Sequence, residues 1–192
     1  GTTQARDRRD ILNIGGFSDA VFETVMWEDL ALDIDLAANE SIANEIVPSD
    51  KVPDIAVFIL WSRLGSELSS ERIPRPDGGR YRSGTEHEFD LMLRARDESG
   101  GVKPRILAYW RNDEGAFVES LKKVEPDSYQ RMLAQKELAK SFIEERFMDS
   151  EGRNIRGIVI YSEPISFARR LRSHLRQSID EILAVSHRTA SW

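Results

Sequence analysis

Asp54-Ile55-Ala56-Val57-Phe58-Ile59-Leu60-Trp61 decides the fold class. After its first residue the run is continuously apolar and rich in β-branched and aromatic side chains. Pro53 opens it, and Ser62 and Gly65 follow it. A short apolar run bounded in this way reads as a buried parallel strand, because a strand covered on both faces has no polar side to alternate with. Three further segments read as strands: Val21–Met26, Arg105–Trp110 behind Pro104, and Gly157–Tyr161.

Helical patterns separate these strands. The spacing predicts helices over Gln4–Ile14, which is stopped by Gly15-Gly16, and over Asn39–Ile46. A third runs over Thr85–Glu98, where Phe89, Met92 and Leu93 recur at helical spacing and Gly100-Gly101 follows. Ser128–Met148 and Ser166–Ser186 complete the set. Strands alternating with helices imply an α/β domain with a parallel sheet. The chain has 192 residues, enough for one domain over residues 1–192 that buries about 70% of its unfolded surface. The chain opens into a helix where a doubly wound sheet opens with a strand. The expectation is therefore that a first strand is missing or that the chain is excised from a larger protein.

Composition narrows the function classes. There are no cysteines, which removes a disulfide framework, a thiolate metal site and a cysteine nucleophile. The three histidines lie far apart, so no metal site is expected. The 33 acidic residues outnumber the 27 basic ones, for a formal net charge of −6, which speaks against a nucleic-acid partner. No run approaches a membrane span and no apolar leader opens the chain. A soluble cytoplasmic protein without a membrane partner is expected. GxxxxGK[ST], GxGxxG and GxSxG patterns are missing from the sequence.

Open parallel sheets bind ligands beyond the carboxyl ends of their strands. The loops that qualify are Trp27-Glu28-Asp29, Trp61-Ser62-Arg63, the long stretch Ser66–Arg82 that ends at Ser83-Gly84-Thr85, and Tyr109-Trp110-Arg111. Trp61, Ser62, Arg63, Trp110 and Arg111 are candidate substrate-binding residues, since tryptophan stacks on rings and arginine holds phosphates. Both tryptophans are equally explained as core packing. Ser83, Gly84 and Thr85 join them at the start of a helix. Thr85 and Glu88 fit a T-x-x-E capping box, and the helix dipole should keep Glu88 ionised. An anionic glutamate beside a ribose C1′ can stabilise an oxocarbenium-like transition state, which makes Glu88 the candidate catalytic residue. Capping alone also accounts for it. His87 reads as an exposed residue of the helix start.

Two motifs carry a resemblance: D-I-A-V-F-I-L-W-S-R-L-G over Asp54–Gly65, and Y-R-S-G-T-E-H-E over Tyr81–Glu88. Between and after them lie R-P-D-G and K-P-R-I-L-A-Y. The chain resembles the TIR-like N-terminal domains of bacterial STAND-type signal-transduction ATPases, which are often linked to WD40 or TPR repeats. It is distantly similar to nucleoside deoxyribosyltransferases, whose G-T-x-x-E pattern matches Gly84–Glu88. The resemblance implies a flavodoxin-like, three-layer domain with a mostly parallel sheet of four to five strands. It implies a signalling or adaptor role, as in anti-phage defence, through self-association or contact with other domains of a larger protein. Alternatively, it implies an N-glycosidase that cleaves NAD or another nucleotide with Glu88. NAD is then a substrate, and no cofactor is expected. TIR-type NADases usually carry a tryptophan just before this glutamate, where this chain has Gly84-Thr85-Glu86.

Overall fold

The computed structural model describes residues 52–68 and 73–189. The expected strand Val21–Met26, the helices Gln4–Ile14 and Asn39–Ile46, and the Trp27-Glu28-Asp29 loop lie outside the described residues. The chain divides into two compact units, residues 30–161, and residues 1–29 with 162–192.

In the first unit the element order is β1 (Ile55–Leu60), α1 (Gly84–Glu98), β2 (Arg105–Arg111), α2 (Glu114–Leu121), α3 (Pro126–Phe147) and β3 (Val159–Tyr161). The three strands form one parallel sheet in the order β1-β2-β3. The α/β class and parallel sheet are as expected. The described sheet has three strands, not four to five, and the fourth expected segment is Val21–Met26. The register sets Phe58 beside Ala108 and Leu60 beside Trp110 across β1 and β2, and Trp110 beside Ile160 across β2 and β3.

The two faces of β1 differ. Ala56, Phe58 and Leu60 are buried, whereas Val57 and Ile59 are 39% and 55% exposed. The buried face joins a core formed with Leu64, Phe89, Met92, Ala108, Ala139, Phe142, Ile143 and Phe147. Phe89 is its hub. Its ring meets Phe58 and Phe142 edge-on at 5.2 and 5.5 Å, and lies tilted against Phe147 at 5.3 Å. Such edge contacts add to the area term because ring edges and faces carry opposite partial charge.

Helix α1 starts one residue before its expected start. Its stop is as read: Gly100 and Gly101 take positive φ, and their amides close onto Asp97 and Arg96 carbonyls. That left-handed geometry is nearly free for glycine. Helix α2 was not expected. Asp113 caps it, accepting the Ala116 amide at 2.9 Å, and Phe117 and Leu121 are buried one turn apart. Helix α3 starts at Pro126, where proline's missing N–H costs nothing.

The second unit contributes one described helix, α4 (Pro164–Thr189). Ser178 and Ile179 are buried on it, and Phe167, Leu171, Leu175, Ile182 and Leu183 are half-buried. That spacing is a single apolar stripe.

Candidate functional site

The segment Tyr81–Glu88 is organised around a carboxylate two residues away from the expected one. The helix cap is Ser83 and not Thr85. Ser83 has extended backbone, and its Oγ accepts the Glu86 amide at 3.0 Å. The box is therefore S-x-x-E, with Glu86 at its third helical position. Glu86 departs from the usual reciprocal bond. Its carboxylate accepts the Arg82 amide at 2.8 Å, not that of the cap residue.

Glu86 is fully buried, with 0% exposure, and is surrounded by three guanidinium groups. Arg82 reaches it through Nε at 3.2 Å and Nη2 at 3.0 Å. Arg146 from α3 contributes Nη2 at 3.2 Å, and Arg75 from the long loop Nη1 at 3.5 Å. Arg82 also holds Glu145, with both bonds at 2.9 Å, and Arg146 holds Asp90 at 3.0 Å. Arg75 also pairs with Asp77 at 3.1 Å, so three arginines meet four carboxylates. Burial alone would push the Glu86 carboxyl up. The hydrogen bonds and charge of Arg82, with Arg146, outweigh it and hold the group below the usual range. The cluster ties the 73–82 loop to α1 and α3.

His87 is 5% exposed, contrary to the expectation of a surface residue. Its ring packs edge-on against Tyr81 at 4.8 Å between centroids. Among the described residues, neither His87 Nδ1 nor Tyr81 Oη has a hydrogen-bond partner. Burial, helped by the Arg94 charge, pushes the imidazole below its ordinary value. Cation formation there would require hydration that the site does not supply.

Glu88 does not fold back to cap Thr85. It is half-buried and makes no hydrogen bond or ion pair among the described residues. Burial raises its carboxyl to about 7. A helix-dipole effect of about 0.3–1 kcal/mol is too small to offset that desolvation.

The candidate residues fall into two groups. Gly65, with φ of +115°, lies against the helix start, where a side chain would meet Ser83 Cβ at 3.4 Å. Gln135 of α3 clamps this turn, accepting the Leu64 and Gly65 amides at 3.2 Å and donating to the Gly65 carbonyl at 3.0 Å. Ser83, Gly84 and Thr85 belong to that packed junction. A separate cleft of about 250 Å³ opens at the carboxyl ends of β1 and β2. Trp61, Ser62, Trp110 and Arg111 line it together, joined by Lys136 and Lys140 among others. Arg63 is exposed outside its lining, and Ser83, Gly84, Thr85 and Glu88 do not line it either.

The cleft is electrically balanced. Arg111, Lys136 and Lys140 face Asp113, Glu114 and Glu137. Arg111 stacks on Trp61, 4.6 Å from its ring centre, and donates to Asp113 at 2.7 Å. Lys136 pairs with Glu114 and lies 4.2 Å from the Phe117 ring centre. The Trp61 face and all three cations are thus engaged within the protein, Lys140 by Glu144 at 3.9 Å. No family model, curated protein or solved structure matches this chain.

The sequence reading missed Glu86, Arg75, Arg82 and Arg146. The first was legible in principle: Ser83 and Glu86 carry the same spacing as Thr85 and Glu88, two residues earlier. Arg146 comes from 60 residues away, and local spacing gives no sign of it.

Proposed function

We propose that this chain is a TIR-like signalling or adaptor domain of a bacterial STAND-type protein, acting through self-association or partner recruitment. The observation that carries the reading is the separation of Glu88 from the cleft. An N-glycosidase needs its carboxylate and its base-binding groups around one sugar. Here Trp61 and Arg111 are stacked on each other in the cleft, and Glu88 is not among its lining residues. The parallel order β1-β2-β3 with intervening helices is compatible with the flavodoxin-like sheet that this reading requires.

A second reading, an NAD- or nucleotide-cleaving N-glycosidase using Glu88, is favoured by one observation. Glu88 is a half-buried carboxyl without a partner among the described residues, as a group awaiting substrate would be. One experiment separates the two. The assembled protein, with assembly followed by light scattering, is incubated with NAD, and nicotinamide release is measured beside Glu88→Gln. The adaptor reading expects no release from either protein. Release by the wild-type chain that the variant lacks would overturn it.

A further inference from the structure

The outer edge of β1 combines three properties. In the described sheet β1 is an edge strand, paired only with β2. Its six residues, Ile55 to Leu60, contain no charge and no proline, the devices that commonly blunt a free edge. The third property is which backbone groups face outward. The Arg105 amide donates to the Asp54 carbonyl at 2.9 Å, so the backbone of Asp54 faces β2. Alternation then turns the N–H and C=O groups of Ile55, Val57 and Ile59 away from β2. These residues also carry the more exposed side chains of the strand.

We infer that β1 pairs antiparallel with β1 of a second copy of this chain, about a two-fold axis through Val57. The inference rests on the self-association reading above and names its surface. The occupant follows from the pattern Ile55-x-Val57-x-Ile59, which reads the same in both directions. Antiparallel pairing about Val57 sets Val57 opposite Val57 of the second copy, and Ile55 opposite its Ile59. Each opposed pair then exchanges N–H···O bonds through the outward groups. The side chains of all three pairs lie on one face as matched β-branched neighbours, the arrangement that stabilises a ladder. Pairing about Phe58 also uses the outward groups, but it opposes only Val57 and Ile59 and sets Ile55 opposite Trp61, beyond the end of the strand, so it makes two matched pairs within β1 where pairing about Val57 makes three. The two three-stranded sheets become one continuous sheet. The edge is about 20 Å long, so it buries less than a standard interface of about 1,600 Å². The dimer is therefore concentration-dependent and suited to assembly on a larger protein.

The absence of native cysteine makes the test clean. In the full chain carrying Val57→Cys, the two cysteines of the dimer lie about 5.5 Å apart between Cα atoms, within disulfide reach. With Ile55→Cys they are separated by about 14 Å, beyond it. Under mild oxidation, Val57→Cys is expected to give a covalent dimer and Ile55→Cys to stay monomeric. Sedimentation of the cysteine-free chain over a dilution series is expected to show a reversible dimer, weakened about tenfold by Val57→Lys, which sets like charges opposite one another. Equal cross-linking of both cysteine variants would overturn the register. A reversible wild-type dimer without Val57→Cys cross-linking would overturn the pairing about Val57 and leave self-association standing. A chain monomeric at every concentration, with the Val57 amide equally protected from exchange at each, would overturn both and assign the edge to another segment of the same chain.

Discussion

Glu88 is a desolvated carboxyl without a partner among the described residues, and replacing it by glutamine should change how stability depends on pH. Its carboxyl is raised from 4.5 to about 7. A group with a raised folded-state pKa stabilises the fold fully below its unfolded value, here 4.5, and loses that contribution as pH rises through about 7. At 1.36 kcal/mol per pKa unit, the gap amounts to about 3 kcal/mol, an upper limit because Glu88 keeps some contact with water. Glu88→Gln retains the shape and removes the titration. The stability of the variant minus that of the wild type should therefore become more positive by about 2–3 kcal/mol between pH 5 and pH 8. For a chain of this size that is roughly 4–12 °C in Tm. Urea unfolding of both proteins at the two pH values measures it. Every other titrating group is common to the two proteins and cancels in the difference. A difference that does not change with pH would refute the reasoning and show that Glu88 is solvated or paired.

Other perturbations follow from the same segment. Ser83→Ala removes the acceptor of the Glu86 amide and should cost about 1 kcal/mol in chemical denaturation, whereas Thr85→Ala, away from the cap, should cost less. Glu86→Gln leaves three buried-side guanidinium groups without their shared charge, and should cost about 3 kcal/mol and expose the 73–82 loop to limited proteolysis. His87 has a depressed pKa, so its contribution is present above its unfolded value of 6.5 and is lost as pH falls; His87→Phe should flatten the acid limb of the stability profile. Phe89→Ala opens the centre of the aromatic core and should cost about 3–5 kcal/mol by calorimetry.

The described fold was legible where a local pattern had a local cause. The β1 run, the Gly100-Gly101 stop and the apolar spacing of Phe89 and Met92 depend on neighbours within a few residues. Helix α2 was missed although its signals are present, with Asp113 as cap and Phe117 and Leu121 one turn apart. Its eight residues give too short a run for periodicity to stand out. The cleft was half legible. Trp61, Ser62, Trp110 and Arg111 could be placed together because strand ends in a parallel sheet share one edge. Their electrostatic state could not, since the partners Glu114 and Lys136 lie on helices whose docking no local rule predicts.

The helix start shows why a correct motif can still mislead about chemistry. Ser83-x-x-Glu86 and Thr85-x-x-Glu88 are equivalent capping boxes by spacing, and a shift of two residues turns a helix by about 200°, which exchanges one side for the other. In the structure the first register is used. Glu86 therefore faces Arg146 and receives Arg75 and Arg82, while Glu88 lies on another side without a donor among the described residues. The two carboxyls then move in opposite directions, Glu86 below the ordinary range and Glu88 above it, although both are desolvated. Burial sets the penalty for each, and the donors each carboxyl meets, Arg82 first and Arg146 after it for Glu86, decide its sign. Cap spacing alone therefore cannot identify a catalytic glutamate here. What distinguishes the two residues is the set of donors around Glu86, the Arg82 amide and side chain first, with Arg146 added once α3 has packed on α1.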